Sequence, residues 1–191
     1  MKYWNKIVKY FEKCDMVFYG LFDHKFSPDI ESQKRVCVTD GRILFYFSPE
    51  IYDMEFATEM SKVFVKLDEK NNGFKYQRNG KNPEIKPDDF SSRAETIISD
   101  VSNYHQCYKT SMMFNPLESG VLAVYKSPSD LIAVNVLYQE LAENMSFYPE
   151  CSLTGDKHNK PIHYSWYGQG VIILPVCFDV KAAAESILEE V

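Results

Sequence analysis

The chain has no pair of cysteines close enough in sequence to share a metal ion or a redox bridge. Its five cysteines, Cys14, Cys37, Cys107, Cys151 and Cys177, are odd in number and widely spaced, with no CxxC. That argues against a disulfide framework and for free, mostly buried thiols in a reducing compartment. Long apolar runs are also missing. MVFYGLF (16–22), the longest near the start, falls far short of the about 20 residues a membrane-spanning helix needs. The opening MKYWNKIVKYFEK lacks the apolar core of a secretion signal. These absences predict a cytoplasmic protein that does not enter a membrane.

Catalytic grammar is equally sparse. No serine sits in Gly-x-Ser-x-Gly, and no glycine-rich loop lies between a strand and a helix. The glycines of YGQGV (167–171) precede a strand and read as a turn. This argues against nucleotide chemistry and a serine nucleophile elbow, and no cofactor is expected. Nor is there an excess of positive charge: 21 Lys and Arg face 27 Asp and Glu, a net −6. Nucleic acid, which rewards phosphate neutralisation, is therefore disfavoured as a partner. The imbalance is local, because residues 1–128 carry 18 charges of each sign while residues 129–191 carry 3 basic and 9 acidic. An acidic last third favours a basic partner.

What is present describes a mixed fold. At 191 residues the chain can bury roughly 70% of the surface its unfolded form exposes, enough for a core without staples. Tyr3/Trp4, Ile7/Val8 and Phe11 recur at helical spacing, which predicts a helix over 2–13. MVFYGLF reads as a strand or a buried connection. RVCVT and RILFYFS flank Asp40-Gly41, the signature of a two-residue hairpin that sets Val38 opposite Ile43 and Val36 opposite Phe45. Ser-Pro pairs at 27–28, 48–49 and 127–128, each followed by an acid, read as helix starts. They predict helices over about 49–68 and 128–145. Residues 69–89 read as a turn, a short exposed hairpin and a polar loop. Ser92-x-x-Glu95 is a capping box, opening a helix whose stripe runs through Ile98 and Val101 to His105 and Tyr108. Residues 121–125 and 171–174 read as strands, and Asp179 caps a final helix. We expect one globular domain over 1–191, of the α+β (mixed α/β) class: a mixed sheet with an antiparallel hairpin in the N-terminal half, packed by about five helices.

Chemistry concentrates in CSLTGDKHNKPIHYSWYGQG (151–170). Cys151, His158, His163 and Asp156 are of ligand type, but none forms the tight pair that orients two ligands on one turn, so no metal is expected. A cysteine hydrolase needs a thiolate, a histidine that takes its proton and a group that orients the histidine. Cys151 with His158 or His163 supplies the types without a nucleophile motif, and His105, on an apolar stripe, reads as a core histidine. The favoured reading is a partner-binding loop of Asp156, His163, Tyr164, Trp166 and Tyr167, since Trp and Tyr are frequent interface anchors. The competing reading has Tyr164 and Trp166 alternating inward as one face of a strand. On this basis we expect a small acidic protein that binds another protein, as a toxin-neutralising immunity protein or an accessory factor does, by steric and charge complementarity. The alternative is an enzyme with a motif-free site built on Cys151, His158 or His163.

Overall fold

The computed structural model describes residues 2–24, 33–48, 54–64, 73–79, 82–88, 91–116, 119–144, 151–166 and 168–189. By contact density the chain divides into two compact units: residues 1–100 with 166–171, and residues 101–165 with 172–191.

The first unit contains α1 (Lys2–Lys13), β1 (Met16–His24), β2 (Gln33–Thr39), β3 (Ile43–Phe47), α2 (Met54–Val63), β4 (Gly73–Asn79), β5 (Asn82–Pro87) and α3 (Ser91–Val101). Its strands lie in the order β5-β4-β1-β2-β3, antiparallel throughout. Helix α1 has the predicted bounds. It buries Ile7, Val8 and Phe11 and exposes Lys6, Lys9 and Lys13, as the period of 3.6 requires. One sheet face carries Val17, Tyr19, Val38 and Phe45. On it Phe11 meets Phe45 edge-on at 5.9 Å and Trp4 meets Phe47 at 5.6 Å. Phe64, just past α2, closes on Tyr19 and Tyr76 of the same face at 5.8 and 5.3 Å. On the opposite face the Arg93 guanidinium of α3 stands 5.2 Å from the Phe18 ring.

The β2–β3 turn is longer than its sequence suggests. Val38 pairs with Phe45 and Val36 with Phe47, each two residues beyond the expected partner. The Asp40 carboxylate accepts the amides of Arg42 (2.9 Å) and Ile43 (3.0 Å), which widens the loop, while Gly41 supplies φ +86. The slip is by two residues, so the same side chains still share a face. The expected exposed hairpin near 69–89 is β4–β5, paired from Phe74↔Pro87 to Asn79↔Asn82. Its prolines fall on β5, the edge of the order, where a missing donor is tolerated.

The second unit contains β6 (His105–Gln106), β7 (Tyr108–Phe114), β8 (Leu122–Lys126), β9 (Leu131–Asn135), α4 (Val136–Glu143), β10 (Ser152–Gly155), β11 (Ile162–Trp166), β12 (Gln169–Ile173) and α5 (Val180–Glu189). The first unit's 166–171 takes Trp166 from β11 and the first three residues of β12. One antiparallel sheet runs β7-β8-β9, and a second set of antiparallel pairings runs β11-β10-β6. Leu122, Val124 and Ala133 on one face of the first sheet pack against Val180 of α5. The adjoining Phe114 and Phe178 rings are 5.3 Å apart. On the other face the hydroxyls of buried Tyr125 and Tyr164 are 2.6 Å apart. Gly155 of β10 comes so close to β9 that a Cβ there would lie 2.8 Å from Cδ1 of Ile132.

The structure departs from several expectations. The pairings within each unit are antiparallel, so the sheet is not mixed there, and strand outweighs helix. The helix expected over 128–145 is β9 followed by α4, capped by Asn135, whose Oδ1 accepts the Leu137 amide at 2.9 Å. Ser127 does act as the sequence suggests, its Oγ accepting the Asp130 amide at 2.9 Å, but the chain turns back into β9. A cap hydroxyl, a proline and an acid serve a β-turn as well as a helix start. The helix opening at Ser92 ends at Val101, and His105 lies exposed in β6 rather than in a core stripe. Of the predicted helix over 49–68, residues 54–63 are helical; residues 49–53 and 65–68 lie outside the described residues. All five cysteines are free; Cys37 and Cys107 are buried, Cys14 and Cys151 half-buried, and Cys177 exposed. No described helix is long and apolar enough to cross a membrane.

Candidate functional site

Most of the predicted partner loop is strand interior. His163, Tyr164 and Trp166 belong to β11 and are buried, at 4%, 5% and 4% exposure. Tyr167 lies outside the described residues. Crowded polar residues and rings predict an exposed stretch, yet β11 is covered on both faces and takes its rings inward. Asp156 is half-buried and structural. Its backbone carbonyl accepts the Ser127 hydroxyl, and its Oδ1 accepts the Ser129 hydroxyl at 3.3 Å. Those bonds tie the β10–β11 loop to the β8–β9 turn. Cys151 is half-buried with its thiol pushed up by desolvation, the wrong direction for a nucleophile.

Joining those two turns gathers a different set of groups. Asp130, at the end of the β8–β9 turn, directs Oδ2 at both the ring Nδ1 of His158 (2.6 Å) and the His158 backbone amide (3.2 Å). Its Oδ1 lies 3.0 Å from Nζ of Lys181 and accepts the Leu131 amide at 2.9 Å. His158, Lys181 and these amides hold the Asp130 carboxyl well below the usual carboxylate range. The carboxylate is thus an acceptor only, so the imidazole presents Nδ1–H to it, and Nε2 of the neutral ring is left as the basic nitrogen. Asp130 is 16% exposed, whereas His158 and Lys181 are each 66% exposed. These three line a cleft of about 480 Å³ with Cys177, Phe178 and Val180. The start of α5 closes one side, where Asp179 caps the helix by accepting the Ala182 amide at 3.0 Å.

No family model, no curated protein and no solved structure matches the chain.

Of the site residues that the sequence singles out, His158 is the one among the described residues that the fold places in this cleft; Cys151, His163, Tyr164 and Trp166 are elsewhere. Asp130, Cys177 and Lys181 carry no local sequence signal for a site. Asp130 reads in sequence as a first-turn acid, and it meets His158 across 28 residues. Among the described residues no group of three His, Cys, Asp or Glu side chains is placed to hold a metal ion.

A second surface lies at the other end of the β7-β8-β9 sheet. Met113 pairs with Ala123, Leu122 pairs with Asn135, and the Val136 amide donates to the Val121 carbonyl at 2.9 Å. These bonds gather Met113 (60% exposed), Val121 (39%) and Leu137 (50%) at that end. Glu140, three residues after Leu137 and so on the same side of α4, is exposed as well.

Proposed function

We propose that the protein acts by binding another protein, and that the second unit makes the contact through the Met113, Val121 and Leu137 end of its three-stranded sheet. The observation that carries this reading is that three large apolar residues at one end of the sheet, Met113, Val121 and Leu137, are each exposed. Single exposed apolar residues are ordinary, whereas a group of them marks a surface that a partner covers. Exposed Glu140 beside Leu137, in the acidic last third of the chain, supports a basic partner. Neutralising a toxin by covering it is one form of such binding, and an accessory role on a host factor is another. The burial of His163, Tyr164 and Trp166 favours this surface over the 156–167 loop as the contact.

A photo-crosslinking residue at Leu137, introduced in the cells the protein comes from, tests the reading. We expect one predominant adduct, lost when Met113→Lys is added. Because Met113 is exposed, that substitution should change stability by less than about 0.5 kcal/mol. No adduct at Leu137 in a folded protein would sink the proposal.

A further inference from the structure

We infer that the partner protein meets this surface with an extended segment of its own chain, which joins the β7-β8-β9 sheet as a fourth strand beside Met113; this rests on the protein-binding reading and names the form of the partner. The Ser127 amide donates to the Asp130 carbonyl and the Val136 amide to the Val121 carbonyl, each at 2.9 Å. Both bonds follow the β8–β9 register, so the odd-numbered residues of β8 are bonded to β9. Its even-numbered residues face β7, where Leu122 meets Phe114 and Lys126 meets Tyr108. The Thr110 hydroxyl, donating to the Val124 carbonyl at 2.9 Å, agrees with that direction. Lys109 and Met113, opposite Tyr125 and Ala123, therefore turn their backbone N–H and C=O away from β8. No backbone partner meets these outward groups among the described residues.

The other edge strands, β5, β6 and β9, are each defended. On β5 the Asp88 amide donates to the Gly73 carbonyl at 3.1 Å, in register with the β4–β5 pairs, so Pro83, Ile85 and Pro87 face outward. Two of those three have no N–H to offer. On β9 the outward Ala133 carbonyl already accepts the Val176 amide at 2.8 Å. Strand β6 is only two residues long. Prolines, covered edges and short strands are the means by which sheets refuse a further strand. Strand β7 is seven residues long, and Tyr108, Lys109, Ser111 and Met113 on it are exposed. It bulges between Lys109 and Met113, where residues 109 to 113 span only 125 to 123 of β8. Thr110 Oγ1 pins the bulge by accepting the Met112 amide at 3.1 Å, and Met113 and Phe114 return to register beyond it. Outward backbone donors and acceptors specify the occupant, because an extended polypeptide supplies the complementary groups at strand spacing.

The test uses the full chain with the photo-crosslinking residue at Leu137, in the cells the protein comes from. Met113→Pro removes the outward N–H without costing β7 a bond to β8, whereas Met113→Val keeps the N–H and an apolar side chain. We expect Met113→Val to leave the adduct yield close to that of the parent chain. Met113→Pro should lower it at least about fivefold, the scale of a buried carbonyl left without its donor. Equal yields in the two variants, high or low, overturn strand addition, while an adduct in the parent chain keeps the protein-binding reading. A parent chain that gives no adduct ends both. An adduct made of two copies of this chain overturns the inference as well. Should Met113→Pro fail to fold, hydrogen exchange on the parent adduct decides. The Met113 amide should exchange at least about fivefold more slowly there than in the free protein, and an unchanged rate overturns the inference.

Discussion

Trp166 is 4% exposed in β11, so its indole is worth most to the protein as core volume. Trp166→Ala should lower stability by about 3–5 kcal/mol, the usual cost of removing a buried large ring, and a urea midpoint close to wild type would contradict this. The buried pair Tyr125 and Tyr164 has a different signature. Burial, the largest cause, pushes both phenols above the ordinary tyrosine value, and their mutual hydrogen bond and charge couple them. In the unfolded chain the same groups ionise near about pH 10, while the folded protein keeps their protons. The unfolded state therefore binds fewer protons above that point, and stability must fall as pH rises through it. Below about pH 9 both states are protonated and the pair gives no pH dependence. We expect the urea midpoint to drop between about pH 9 and pH 11, and to drop less in the Tyr125→Phe/Tyr164→Phe double variant. An equal drop in both proteins would count against the buried pair as its source.

At the scale of elements, legibility in the chain depends on which signal is unambiguous. Helix α1 is legible because Ile7, Val8 and Phe11 repeat with one period and the lysines fill the other side. The β2–β3 hairpin is legible in its face pattern, although its register follows the Asp40 carboxylate rather than the two-residue rule. Segment 127–145 misleads because Ser127-Pro128-Ser129-Asp130 fits both a cap and a turn. Leu131-Ile132-Ala133-Val134 is an unbroken apolar run of the kind a buried strand makes, and it is the signal that decides the matter. Likewise Ser102-Asn103 are turn formers that end α3 before His105. The candidate cleft is legible only in His158. Asp130, Cys177 and Lys181 come from a turn, an exposed loop and the start of α5. No local spacing announces three groups that line one cleft only through tertiary folding.

For the whole molecule we propose that residues 1–191 unfold as one cooperative domain. Each unit is assembled from two stretches of chain, so order in one constrains the path of the other. Calorimetry should then give a van't Hoff enthalpy equal to the calorimetric one, and two resolved transitions would overturn the proposal. The same interleaving has a practical side for anyone cutting the gene. A fragment ending at residue 100 leaves out Trp166, Gln169, Gly170 and Val171, all buried and all counted with the first unit. A fragment beginning at residue 101 carries those residues without the rest of that unit. We expect neither truncation to fold alone, and both to need their complement present. Split-protein reassembly, with the break placed at 100/101, is thus the workable way to study the halves, and a reporter fused to each half would read out their reunion.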